Sequence, residues 1–525
     1  MVNGSAALDL TKEGFQKVEI AESPVKYCTV TLSDVISRGK RLEASVFDVE
    51  AKHAHDIINH GKYSAISIGG NNGLIQEAYY PGRFKRIYCD AGAGEPFYLP
   101  SQMTDIYPKA AKSISALTNC NMSELKLKPK TLLLTRSGTI GTISYVSKTI
   151  EGTVFSDDVI RVTFKDEMDL GYVYAYLKTK TGNMMLTTNG YGSVITHIEP
   201  EHLATVQIPD APWSIKKRIN DLIVGSYELR DASNALIDEA TALLVKELQF
   251  PDIRDFDIAL YKKNTEVDTF SVKLSDMAGR VDASYHVPIV NAIVEHMKQH
   301  AAEVTTVGDS RVSKEIILPG RFKRVYVKEG YGKVFIGGKQ LYELDPTNKK
   351  YLSIKHHADR IAKQLTLHEG MTLITCSGTI GKVALVGKHW EDWTASQHII
   401  RVVPANSDIA GYISIFLGSD YGYPLITHYT YGSVVDEIDD THVASIPFPL
   451  LKNAAVQKQI NDLALEASEK RYQAYKLEQQ ALQIIDKEVI FADKDEKSVK
   501  KYSYDFSSYP ISKVAEDPVQ YGEKE

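Results

Sequence analysis

Cysteine is scarce in this 525-residue chain: Cys28, Cys89, Cys120 and Cys376 are scattered and none stands in a C-x-x-C spacing. A disulfide framework or a thiolate metal site needs paired spacings, so the sequence predicts buried thiols in a reducing compartment, the cytoplasm. No apolar run approaches the roughly 20 residues that span a bilayer, and the N-terminus does not combine a basic start, an apolar core and a small-residue cleavage site. Membrane and secretory classes are not expected.

An excess of positive charge is also missing. Sixty-one Lys and Arg stand against 67 Asp and Glu, a net charge of −6. That is unlike a small basic DNA-binding domain, yet too dilute for a DNA mimic, and a chain of this size has room for basic grooves on an acidic body. Catalytic signatures are absent too: there is no G-x-S-x-G elbow, H-E-x-x-H, P-loop or kinase set. Asp345-Pro-Thr-Asn348 is not the Asn/Asp-Pro-Pro-aromatic motif of a methyltransferase. His53, His55, His356 and His357 lack Cys, Asp or Glu partners at metal spacing in both halves, so no zinc site is expected. The chain is expected to catalyse nothing alone.

What the sequence has is a duplication. Arg136-Ser-Gly-Thr-Ile-Gly141 returns as Cys376-Ser-Gly-Thr-Ile-Gly381, and Pro81-Gly-Arg-Phe-Lys-Arg86 as Pro319-Gly-Arg-Phe-Lys-Arg324. Tyr191-Gly-Ser-Val194 returns as Tyr431-Gly-Ser-Val434, and Ile219-Asn-Asp-Leu222 as Ile460-Asn-Asp-Leu463. A spacing this long is that of a whole domain, not of a solenoid repeat. With 43% hydrophobic and 9% aromatic residues, each copy has enough apolar side chains for its own core.

Each copy reads as short β-rich runs bounded by turn residues, such as Leu132 to Thr135 and Val159 to Val162, with a helix near Leu170 to Thr179. Its counterpart falls near Gly411 to Leu417. A further helix is expected over about Ser45 to His60. After each β-rich part the period changes. Ile215, Ile219, Leu222, Ser226, Leu229, Ser233, Leu236, Ala240 and Leu243 step by fours and threes, as do Val456, Ile460, Leu463, Ala467, Lys470, Ala474, Leu477, Ala481 and Ile484. A stripe that long needs a partner, and each long helix has only the other of matching length. The fold class expected is α+β: two tandem β-rich domains separated by two long antiparallel, coiled-coil-like helices in a pseudo-two-fold internal repeat. The boundaries expected are a leader at 1–26, a first domain at 27–211, a helix at 212–250, a linker at 251–267, a second domain at 268–450, a helix at 451–491 and a tail at 492–525.

The Ser-Gly-Thr-Ile-Gly element reads first as a tight turn in which Gly138, Gly141, Gly378 and Gly381 supply positive φ or close backbone approach. It lacks the Lys-Ser/Thr of a phosphate loop and the third glycine of a dinucleotide turn. Arg83, Lys85 and Arg86, and Arg321, Lys323 and Arg324, follow Pro-Gly and interleave with Phe84, Tyr88, Phe322 and Tyr326. Such a run is either a solvated strand face or a surface for phosphate contact with aromatic packing. Asn189 and Tyr191, with His428 and Tyr431, sit in polar loops whose side chains either form ordinary turns or reach base edges.

These residues resemble the DNA-specificity subunit of type I restriction-modification systems. The resemblance rests on Ser-Gly-Thr-Ile-Gly at 137 and 377, on Ser-x-x-x-Ile-Arg-Val at 156 and 396, and on Tyr-Gly-Ser-Val leading to Ile-Pro and a long helix. It implies two target-recognition domains, each reading half of a split asymmetric double-stranded DNA site, with the helices as a ruler between them. It further implies two modification (methyltransferase) subunits bound to those helices and restriction (endonuclease/translocase) subunits joining them. S-adenosylmethionine, ATP and Mg would belong to those partners, with no cofactor in this chain. Where the family often begins its helix with Glu-Gln, this sequence has Val456-Gln457 and Ile215-Lys216. The rival readings are a protein-only scaffold of tandem β domains, and a nuclease or methyltransferase with an unrecognised site.

Overall fold

The computed structural model describes residues 7–11, 14–18, 30–37, 49–90, 92–110, 112–188, 196–258, 269–277 and 279–492. The tail beyond 492, most of the 1–26 leader and the linker from 259 lie outside them. Of the leader, Ala7–Thr11 and Gly14–Val18 pair as an antiparallel hairpin. The helix expected over 45–60 is described from Val49 to Asn59.

Helix and sheet mix in one α+β chain whose two halves carry the same strand orders. One four-stranded antiparallel sheet runs Ile75–Tyr79, Val159–Phe164, Leu132–Thr135, Ile143–Tyr145; the other runs Ser313–Ile317, Ile399–Pro404, Thr372–Thr375, Val383–Leu385. Beside each lies a second sheet. In the first half its order is Val154–Phe155, Glu95–Tyr98, Lys112–Ile114, Tyr88–Cys89, and in the second Thr394–Ala395, Gly332–Ile336, Lys350–Ser353, Tyr326–Val327. The Leu132-Leu-Leu134 run shows why the strands are apolar throughout rather than alternating. Leu132 and Leu134 face a core built with helices, whereas Leu133 faces a second core with Met103, Val146 and Phe155. A strand covered on both faces has no solvent side to make polar.

Four helices position the rest: α1 (Met168–Lys178), α2 (Trp213–Glu247), α3 (Ser407–Gly418) and α4 (Ala454–Ile484). Gln249 turns to φ 52° after α2, and α4 passes into a π-helical turn at Ile485–Ile490. At the start of α4 the Asn453 side chain accepts from the Ala455 and Val456 amides, which caps it.

The Ile-Asn-Asp-Leu landmark docks α1 on α2 and α3 on α4. Asn220 Oδ1 accepts from Gly171 N at 3.0 Å, and Asn461 Oδ1 from Gly411 N at 2.8 Å. The helices touch so closely there that a Cβ at Gly171 would stand 2.5 Å from Asn220 Cα, and one at Gly411 2.4 Å from Asn461 O.

Helices α2 and α4 pack side by side and run antiparallel: Arg218 bonds Glu488 at 2.9 Å, Ser226 Oγ donates to Ala474 O at 2.8 Å, and Arg471 donates to Ser233 Oγ at 3.1 Å. Every seventh residue is fully buried, Ile219, Ser226, Ser233 and Ala240 on α2 and Ile460, Ala467, Ala474 and Ala481 on α4. The leucines between them, Leu222, Leu229 and Leu236, are only half-buried. The seam is thus mostly Ser and Ala. Small side chains let the axes approach, and the space a leucine seam would fill with hydrocarbon is crossed instead by a buried polar group. Glu478 is fully buried and takes Arg230, Lys178 and the Tyr174 hydroxyl. Burial opposes its charge, but Lys178 and Arg230 prevail and hold the carboxyl at about 2.

The halves also meet directly. Ile106 N donates to Tyr342 O at 2.9 Å, and Asp105 bridges to Glu343. In the duplication these last two are equivalent positions, so the contact joins like to like. Of the cysteines described, Cys376 is buried as expected, but Cys89 and Cys120 are only half-buried. Among the described residues no helix is long and apolar enough to cross a membrane.

Candidate nucleic-acid interface

In each half the landmark loops are brought together by hydrogen bonds. The glycine turn comes first: Gly138, Gly141, Gly378 and Gly381 have φ of 79, 83, 76 and 85°, a region open chiefly to glycine. With the chain bent this way, Gly378 N donates to Asp436 O at 2.9 Å and Ile438 N to Cys376 O at 3.0 Å, tying the turn to the loop after Tyr431. That loop closes on itself through Tyr431 and Glu437, which exchange amide hydrogen bonds of 3.0 and 2.8 Å. The basic loop reaches the same point, since Arg321 meets the Glu437 carboxylate at 2.8 Å. Ser377 Oγ stands 3.5 Å from that carboxylate.

The first half repeats the scheme with different pins. Gly138 N donates to Thr196 O at 3.0 Å, and Ile198 N to Arg136 O at 2.8 Å. Arg136 holds Glu199 at 2.7 Å and Asp158 at 3.4 Å, and lies 4.2 Å over the Tyr80 ring. Burial works against its charge, but Glu199, Tyr80 and Asp158 raise its pKa. Ser137 Oγ donates to Asp158 at 2.6 Å, and Arg86 meets the buried Asp157 at 2.6 Å.

The ten side chains singled out in the sequence divide by these contacts. Arg83, Lys85 and Lys323 are exposed and carry no ion pair among the described residues, and the Arg321 side chain is 80% exposed beyond its contact with Glu437. Tyr431 is exposed. Arg86 and Arg324 are half-buried, and each is held from below. Arg86 is bound to Asp157 and Ser156, and Arg324 reaches His398 Nε2 at 3.4 Å and covers the Phe335 ring. They are pins of the loop before they are a surface. His428 must be corrected as a DNA-facing residue. It is 7% exposed, turned inward at the end of the helix Gly422–Thr427, with its ring 3.9 Å from Tyr429 and its Nδ1 3.2 Å from Pro424 O. Burial pulls its pKa down to about 4, so it is neutral as well as covered. Asn189 and Tyr191 lie outside the described residues.

Two features were not assigned to this surface from the sequence. The Ser-Gly-Thr-Ile-Gly turn, read as scaffolding, stands beside the basic loop in both halves. And Val434, at the tip of the Tyr431 loop, is 93% exposed with Val435 beside it. An apolar pair inside a Tyr-Gly-Ser-Val-Val-Asp-Glu turn was the available signal. Among the described residues no group of three His, Cys, Asp or Glu could hold a metal ion.

Fold and loops together define a class: a duplicated α+β protein that presents two equivalent loop clusters on a pair of long helices. No family model matches the sequence, and no curated protein matches it. Among solved structures the chain is similar to a type I restriction-modification system S subunit from M. genitalium, at 13% identity over 82% of this chain and 95% of that one, TM-score 0.31. It is similar also to the HsdS subunit from Thermoanaerobacter tengcongensis, at 11% identity over 81% and 99%, TM-score 0.25. A third similar chain, at 11% identity over 82% and 97% with TM-score 0.25, comes from work on complex assembly and conformational transition of the type I R-M system.

Proposed function

We propose that this protein is a cytoplasmic, non-catalytic DNA-specificity subunit of a type I restriction-modification complex. Each half is a target-recognition domain, at about 27–211 and 268–450, that reads one half of a split asymmetric site. The paired helices set the distance between the halves and carry two methyltransferase subunits, which restriction subunits join. S-adenosylmethionine, ATP and Mg act in those partners. The observation that supports this most is that the same basic loop and the same glycine turn come together twice, in two halves of one topology joined by an antiparallel helix pair. At 1.5 Å per residue, the 35 and 31 residues of α2 and α4 span roughly 50 Å, which accommodates half-sites about one DNA turn, or ~34 Å, apart. Arg83, Lys85, Arg321 and Lys323 supply phosphate contacts. Tyr431 and the exposed Val434 supply base and thymine-methyl contacts.

The test is methylation mapping in a host expressing the chain with its cognate methyltransferase subunits, against the same host carrying Arg321→Glu and Lys323→Glu. Adenine methylation at a split motif, lost in the variant, is the expected result. Unchanged methylation in the variant removes these side chains from the reading face. No split motif in either host turns the assignment over to the protein-only scaffold.

A further inference from the structure

Two cavities lie at equivalent places in the two halves, where each β domain meets the helix pair. The one beside the first domain, lined by Thr149, Tyr227 and Arg230, holds about 20 Å³. Its counterpart, lined by His389, Ser468 and Arg471, holds about 490 Å³. Side chains account for the difference. In the first half the space is filled by the Tyr174 and Tyr227 rings, packed edge to face at 5.8 Å, and by Lys178 bound to Glu478. The equivalent positions in the second half are Ser414, Ser468, Gly418 and Ile237: two rings, an ammonium and a carboxylate are gone, and the arginine is kept.

That arginine is left without a counter-charge. Arg230 bonds the Glu478 carboxylate, whereas among the described residues Arg471 donates only to Ser233 Oγ at 3.1 Å and Asn234 Oδ1 at 3.3 Å, both neutral, and its Nη1 has no acceptor there. Among the described residues no carboxylate stands within ion-pair distance of it. Burial pulls its pKa down to about 10, which still leaves it a cation at neutral pH. Beside it His389 has a buried Nδ1 with no hydrogen-bond partner, and burial, with Arg471 and Arg230 nearby, lowers that ring to about 3, so it is neutral. Trp390 adds a buried apolar wall. The acidic groups that line the cavity are at its exposed rim and engaged: Asp238 takes the Tyr107 hydroxyl, and Asp420 lies 3.8 Å from Lys109 with both side chains largely in solvent. A half-buried guanidinium with an open donor, an unpartnered imidazole nitrogen and an aromatic wall, in a space within the ~300–1,000 Å³ of ordinary ligand pockets, is a built site.

We propose that this cavity binds a small organic oxyanion, a carboxylate or a phosphate monoester on an apolar body of one or two rings, with Arg471 holding the anionic group and Trp390 packing the body. Its walls come from both halves, since Ile106 and Tyr107 belong to the first, Trp390 and Ser414 to the second, and Arg471 to α4. Occupancy therefore ties the two halves together at one side of the helix pair.

The full-length chain is titrated with phenyl phosphate and, separately, benzoate, with neutral benzamide as control, reading tryptophan fluorescence and Tm. A saturable quench and a rising Tm with either anion, and neither with benzamide, are expected; the anion that binds identifies the head group. Arg471→Met is expected to weaken binding by about tenfold or more. Ser414→Tyr, which restores the ring found at the equivalent position of the first half, is expected to abolish it while the far-ultraviolet circular dichroism stays native. No saturable response to either anion overturns the proposal, as does equal binding of benzamide or an unchanged affinity in Arg471→Met. If Arg471→Met does not fold, unchanged anion binding in Ser414→Tyr overturns it.

Discussion

Arg161 and Arg401 are almost wholly buried, one in each central strand, and among the described residues bond no carboxylate. Arg401 donates to the carbonyls of Ser396, Ile399, Ala395 and Leu365, and Arg161 to those of Val159, Phe155, Ser156 and Leu125. Each guanidinium thereby satisfies the backbone where one sheet hands over to the next, and beside Arg161 lies the Ser156 to Asp158 turn that grips Arg86 and Ser137. The Ile-Arg-Val landmark was plain in the sequence, but its burial was not, because a charge within a β run ordinarily marks a solvent face. Arg401→Met removes the donors and leaves several buried carbonyls bare. A stability loss on the order of 3 kcal/mol or more is expected from chemical denaturation. A second prediction at this scale concerns Asp105, whose carboxyl burial lifts to about 7, with Lys382 acting against the rise and Glu343 adding to it. A carboxyl raised in the folded state binds its proton more tightly there than in the unfolded chain. Its contribution to stability therefore falls as pH rises from about 4 to about 7 and is flat beyond. Asp105→Asn removes that dependence, so denaturation should show the variant gaining on the parent at pH 8 and matching it near pH 4.

Among the elements, the long helices were the most legible, since their stripes of fours and threes leave little else to build. What the periodicity concealed is which residues of the stripe do the packing. Serines and alanines, not leucines, are buried at the seam, because the helices approach closely and must also serve the β domains on their flanks. The identity of the buried charges was equally hidden, as Glu478 meets Lys178 of α1 three hundred residues away. Glu478→Ala leaves Arg230 and Lys178 buried without a counter-charge, and a loss of about 3–5 kcal/mol is expected. Because the acid's folded pKa is depressed, the stability it contributes is present above its unfolded value near 4.5 and disappears as pH falls toward about 2. The deficit of Glu478→Ala should accordingly shrink in acid, which denaturation at pH 7 and pH 3 would show. Gly411→Ala tests the docking of α3 on α4. Its methyl would meet the backbone of Asn461, which cannot swing aside as a side chain can, so the helices must separate, at a cost of about 1–3 kcal/mol.

At the scale of the molecule, duplication was legible from four landmarks, yet the pairing order of the strands was not, since runs as short as Val154–Phe155 and Tyr88–Cys89 carry no register of their own. The candidate surface was half legible. Arg83, Lys85, Arg321 and Lys323 are where an exposed basic loop should put them, but the inward turn of His428 depends on rings, Tyr285 and Tyr429, that no local pattern connects. The same division sets a final prediction. The exposed cations of the two loops share no described contact with one another, so under the proposed function their effects on DNA affinity should be independent. Phosphate contacts act by counterion release, and each one lost lowers the slope of log affinity against log salt by about 1. Arg83→Glu with Lys85→Glu, and Arg321→Glu with Lys323→Glu, should each lower that slope by about 2, and the four together by about 4, when the complex is titrated onto duplex DNA over a range of salt. Equal losses on cognate and unrelated duplexes mark the four as phosphate contacts. Under the proposed function, a loss confined to one half of a split motif would mark the altered loop as a reader of bases. A combined effect well short of the sum would mean that the two halves do not engage DNA separately, and the duplicated loops would then form a single surface instead of two.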